Sequence, residues 1–93
     1  TGYIVTFLPI ETGNVPPATD ITGSSTQLTG NGAVTVDASG NIYVVNTQFG
    51  GNPPASISEF APSANGNAAP INAIGGANTG LDIGWWGIAI GPP

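Results

Sequence analysis

Apolar residues come in short bursts along this chain, separated by runs of Gly, Pro, Ser, Thr and Asn. Bursts this short, rich in Val, Ile and aromatics and bounded by turn formers, predict β-strands. The predicted strands are Tyr3–Leu8, Ala18–Thr22, Ala33–Asp37, Asn41–Asn46, Ser56–Ala61, Ile71–Gly75 and Gly87–Ile90. Several are apolar on both faces: Tyr3, Val5 and Phe7 alternate with Ile4 and Leu8. That pattern predicts sheets covered on both sides. Tyr43, Phe7 and Phe60 fall at periodic strand positions and are expected in the core.

The segment Asp37-Ala38-Ser39-Gly40-Asn41 predicts a tight hairpin. An Asp side-chain oxygen can open a type I turn, and glycine supplies the positive φ that closes it. Gln48 to Pro54 reads as a loop, because adjacent prolines cannot donate to a ladder. Ser63-Ala64-Asn65-Gly66-Asn67 reads as another hairpin-type connection.

The chain also repeats itself. Ile4-Val5-Thr6-Phe7-Leu8-Pro9 aligns with Ile57-Ser58-Glu59-Phe60-Ala61-Pro62. The match runs on through Gly13-Asn14 and Gly66-Asn67, Pro17 and Pro70, Gly23 and Gly76, Leu28 and Leu81. Every pair lies 53 positions apart, as 7 and 60 or 28 and 81 show. A constant offset through apolar, Pro and Gly positions together marks a structural repeat.

Composition narrows the functions open to such a chain. Its 93 residues suit one small domain or a piece of a larger one, and the 15 Gly and 9 Pro oppose long helices. There is no Lys, Arg or His, and the net charge is −5. Without cations, phosphates and anionic lipid surfaces have nothing to pair with, so neither nucleic acid nor membrane is an expected partner. Cysteine is absent, so disulfides contribute nothing. Only 5% of residues are charged, against about 25% in an ordinary soluble domain. Ser, Thr and Asn carry the polarity instead, and no trypsin-type cleavage site exists, which together point to an extracellular location.

Candidate chemistry is sparse. Lacking His, Cys, Lys and Arg, the chain cannot build most nucleophilic triads or zinc sites, so no enzyme and no cofactor are expected. Asp37, Ser39 and Asn41 could offer oxygens to Ca²⁺, but a turn-capping Asp explains the same residues and is the preferred reading. Glu11, Asp20, Glu59 and Asp82 are too evenly spread to form a site. The paired indoles Trp85 and Trp86 could stack on a sugar ring or another flat surface, against the plainer reading of packing between neighbouring units. Phe49, in a Gly- and Pro-rich loop, could join such a contact surface.

The repeat and the segment Asp37-Ala38-Ser39-Gly40-Asn41-Ile42-Tyr43-Val44-Val45-Asn46 resemble the NHL-repeat class of β-propellers, as does Gly87-Ile88-Ala89-Ile90. That class includes binding scaffolds, streptogramin-lyase-like enzymes and gluconolactonase-like enzymes. The first copy departs from the pattern with Gly32-Ala33-Val34-Thr35-Val36, and Gly91-Pro92-Pro93 stands where an Asp-turn belongs. The resemblance implies an all-β chain of antiparallel strands forming slightly under two propeller blades. Residues 1–28 would hold the third and fourth strands of one blade, 29–81 a complete repeat, and 82–93 the inner strand of the next. Trp85 and Trp86 would then lie in a loop at one end of the central channel, where ligands bind.

The expected function is a non-catalytic binding or scaffold segment of a secreted propeller, contacting a protein or glycan partner. The alternative is a structural subunit of an extracellular filament, in which further copies of the chain cover its open sheet edges.

Overall fold

The computed structural model describes residues 2–28, 30–47, 56–79, 81 and 88–91. Among the described residues six strands form in chain order: β1 (Tyr3–Thr6), β2 (Thr19–Thr22), β3 (Gly30–Val36), β4 (Ile42–Thr47), β5 (Ser56–Phe60) and β6 (Asn72–Gly75). Short 3-10 turns at Ser24–Thr26 and Ala77–Thr79 follow β2 and β6. The fold is all-β and every strand pairing is antiparallel. β1 and β2 make a two-stranded sheet, while β3-β4-β5-β6 make a four-stranded meander in sequence order.

Local chemistry sets the strand limits. β1 stops at Thr6, short of the expected Leu8, because the chain folds back on itself there. The Glu11 N–H donates to the Leu8 carbonyl, and a Glu11 carboxylate oxygen accepts the Leu8 N–H at 2.8 Å. The hairpin between β3 and β4 forms where expected. Gly40 adopts φ 91°, and the Gly40 N–H donates to the Asp37 carbonyl at 3.0 Å. β3 begins earlier than expected, at Gly30, and carries a register shift between Asn31 and Ala33.

Two pairs of strands share a similar register. In the first, Tyr3 pairs with Thr22 and Thr6 with Thr19; in the second, Ser56 pairs with Gly75 and Glu59 with Asn72. The connections match as well. Ala18 N–H donates to the Thr6 carbonyl, and Ile71 N–H to that of Glu59. In each 3-10 turn a threonine hydroxyl donates to a glycine carbonyl at 2.7 Å, Thr26 to Gly23 and Thr79 to Gly76. Each hydroxyl then accepts a leucine N–H, from Leu28 or Leu81. We call β1, β2 and their turn the first segment, and β5, β6 and theirs the second.

The core lies where the two sheets meet. Ile21 and Leu28 of the first segment pack with Ile42, Val44 and Phe60 of the larger sheet, with Ile4 and Ala64 at the margin. Burying one such side chain contributes about 1.5–3 kcal/mol. One face of each sheet meets the other sheet, and β4 is covered on both sides, since its successive residues Val44 and Val45 are both buried. Tyr3 and Val5 of β1 and Ile74 of β6 are exposed, as are Val34 and Val36 on the edge strand β3, although these two share a face with Val44 and Ile42.

Three further expectations are corrected. Phe7 is 52% exposed while its counterpart Phe60 is fully buried. Phe60 pairs with Ile42 of β4 and packs with Ile21 and Leu28 of the first segment, whereas among the described residues β1 pairs with β2 alone. Tyr43 is half-buried rather than a core residue, its hydroxyl drawn to Asp37. Ile88–Ile90 do not form a strand, since they pair with no strand among the described residues and a lone strand leaves its ladder groups unpaired.

Candidate functional site

The residues proposed from sequence to contact a ligand, Phe49, Trp85 and Trp86, lie outside the described residues, as does Asp82. The described residues present two built constellations, one around Asp37 and one where the sheets meet.

Asp37 sits at the end of β3, and the turn aims the backbone at its carboxylate. Oδ1 accepts the N–H groups of Ser39 and Asn41, each at 2.9 Å. Oδ2 accepts the Asn41 side-chain amide and the Tyr43 hydroxyl, each at 3.0 Å. Four donors thus occupy a carboxylate that has about four lone-pair sites. The Asn41 side chain contributes most to holding this carboxyl below its ordinary value, and the Asn41 backbone, Tyr43 and Ser39 act in the same direction against partial desolvation. The hydrogen bond to Asp37 likewise pushes the Tyr43 phenol up to about 12, helped by desolvation and the negative charges of Asp37 and Glu59. The arrangement is a locked turn, as the capping reading expected. Among the described residues no group of three or more His, Cys, Asp or Glu could hold a metal ion.

The other carboxylates stay apart. Glu11 caps the backbone at Leu8, and Glu59 lies across from Tyr43 on β5. Buried polar groups serve the fold: the Asn46 side-chain amide donates to the Ser58 hydroxyl at 2.8 Å, cross-linking β4 and β5.

The second constellation joins the segments through their backbones. Gly66 forms a parallel bridge with Ile21 along the free edge of β2. Its N–H donates to the Asp20 carbonyl at 2.8 Å, and its carbonyl accepts the Thr22 N–H at 3.0 Å. The flanking asparagines extend the contact: Asn65 Oδ1 accepts the Asp20 N–H and Asn67 Oδ1 the Ser25 N–H, both at 2.8 Å. Gly66 holds φ 68°, which lets both asparagines reach forward. Opposite them, Gly23 holds φ 127°, and a methyl group there would collide with the Asn67 side chain.

This clip binds extended backbone and contains no acid–base pair. From sequence, Asn65-Gly66-Asn67 reads only as a connection between strands. The legible signal was its counterpart Thr12-Gly13-Asn14, which keeps the Gly and the following Asn. That such a loop grips a neighbouring edge depends on how the sheets pack. Comparisons with protein-family models, with curated proteins and with solved structures find no match to this chain.

Proposed function

We propose that this chain is a non-catalytic scaffold segment of a secreted, NHL-like β-propeller, in which successive β-sheet units stack side by side. The observation carrying this reading is the clip between segments. A loop of the second segment fills the free edge of the first, while Ile21 and Leu28 are buried against Phe60, Ile42 and Val44. Units that each leave one edge and one apolar face open gain stability by stacking, which is how repeat architectures hold together. On this reading the four-stranded sheet β3-β4-β5-β6 is one blade, and β1-β2 is the outer part of the preceding one. The loops at the blade ends, with Phe49, Trp85 and Trp86, contact a protein or glycan partner.

The absence of His, Lys, Arg and Cys supports a scaffold over a catalyst, because the chain supplies no ordinary nucleophile–base pair. Electron microscopy of the native protein is the deciding experiment. Ring-shaped particles with radially arranged blades are the expected result; a particle without a ring refutes the propeller. A filament subunit is the second reading, favoured by apolar side chains left exposed on both segments, among them Tyr3, Phe7 and Ile74.

A further inference from the structure

The chain carries both halves of its internal clip a second time, and among the described residues neither is engaged. On the first segment, the loop Thr12-Gly13-Asn14 corresponds to Asn65-Gly66-Asn67. Gly13 has φ 82°, close to the 68° of Gly66, and Val15 N–H donates to the Gly13 carbonyl as Ala68 N–H does to Gly66. On the second segment, the edge of β6, which no described residue pairs with, corresponds to the occupied edge of β2. The shared register points the Gly75 N–H and the Ala73 carbonyl away from β5, as the Thr22 N–H and Asp20 carbonyl point away from β1.

The surrounding surfaces match too. Ile74 is 45% exposed where Ile21 is fully buried, and Phe7 is exposed where Phe60 is buried. Gly76, at φ 113°, has nothing within 4 Å of where a Cβ would stand, whereas the same position at Gly23 is filled by Asn67.

We infer that a second copy of this chain docks head to tail, its Thr12-Gly13-Asn14 loop and Phe7 covering the β6 edge and Ile74 of the first. The inference rests on the reading of the two segments as stackable units. In the docked pair, Gly13 offers its N–H to the Ala73 carbonyl and accepts the Gly75 N–H. Asn14 takes the space over Gly76 and accepts the Asn78 N–H, as Asn67 accepts that of Ser25. Thr12, standing for Asn65, is not needed at Ala73, whose N–H is already bonded to the Asn72 side chain. The surface on the first copy differs from the one on the second, so the contact is heterologous and generates a ring or an open filament. Glu11 stands at the place of Ala64, which packs at the core margin, so its carboxylate weakens the contact.

Sedimentation of the purified chain over a concentration series tests this, with Phe7→Glu and Ile74→Glu as partners. Both side chains are exposed, so the variants keep the fold, checked by circular dichroism. Wild type is expected to form a ladder of sizes or one closed ring. Each variant alone associates at least about tenfold more weakly, since a charge is forced into an apolar contact. Mixing the two restores a one-to-one complex, because each retains the surface the other has lost. Glu11→Ala strengthens wild-type association.

A monomeric wild type at every concentration overturns the inference, as does association that neither variant weakens, or variants that fail to complement each other. Hydrogen exchange of single amides separates this failure from that of the underlying reading. Thr22 and Gly66 N–H groups are protected in the monomer if the segments stack. If they exchange freely, the stacking reading itself fails.

Discussion

Asp37 illustrates how one side chain organises a turn, and its protonation is tied to folding. Its carboxyl is held below its ordinary value in the folded chain. The stability it supplies is therefore present above the unfolded-state value and lost as pH falls through the lower, folded one. Tyr43 works at the other end of the scale. Its phenol is raised from 10.0 to about 12, so its contribution is full below 10.0 and disappears as pH climbs through about 12. In a Tyr3→Phe background, an ultraviolet titration of tyrosinate reports Tyr43 alone. Replacing Asp37 by Asn should bring that midpoint down towards 10.0, because the charge and the charge-assisted acceptor are both removed. The same variant should flatten the loss of stability in acid, measured by urea unfolding across pH. An unchanged tyrosine midpoint would mean that the Asp37–Tyr43 hydrogen bond does not form in solution.

At the scale of elements, equivalent positions of the two segments act as internal controls. Gly23 and Gly76 share a positive φ, but only Gly23 faces an asparagine. Gly76→Ala should cost the backbone strain alone, about 1–3 kcal/mol. Gly23→Ala adds a steric conflict with Asn67 worth roughly another 1–3 kcal/mol. The difference between the two urea-unfolding energies reads the clip directly, and equal costs would count against it. Phenylalanine gives a second comparison. Phe60→Ala empties a buried site and should destabilise by about 3–5 kcal/mol. Phe7→Ala, on an open surface, should change stability by no more than about 0.5 kcal/mol. Sequence alone makes these two residues look alike, since each stands three residues after an isoleucine and two before a proline. Their difference arises from packing: Phe60 lies against Ile21, Leu28, Ile42 and Val44, whereas among the described residues β1 pairs with β2 alone.

For the molecule as a whole, charge of a single sign is the governing feature. With five carboxylates and no basic side chain, no ion pair between side chains can form, so long-range electrostatics can only oppose compaction and association. Raising NaCl from about 10 mM to about 150 mM shortens the Debye length from about 30 Å to about 8 Å. The urea midpoint of unfolding should therefore move upward with salt, and head-to-tail association should strengthen. A protein assembling through ion pairs would weaken under the same change, so sedimentation at the two salt levels distinguishes the two kinds of contact.

The order of the strands, the Asp37 hairpin and the correspondence between segments were legible in the residues, because turn chemistry and apolar alternation act over a few positions. Strand ends shifted by up to a few residues where side chains competed for backbone groups, as Glu11 does at Leu8. The segment Ile88–Ile90 has the composition of a strand and is not one, since a strand is defined by its neighbour rather than by its own residues. Likewise the sequence marks Ile21 and Ile74 as equivalent, yet only packing decides that one is buried and the other open. Burial and edge pairing depend on which surfaces meet, and that is settled when distant parts of the chain come together.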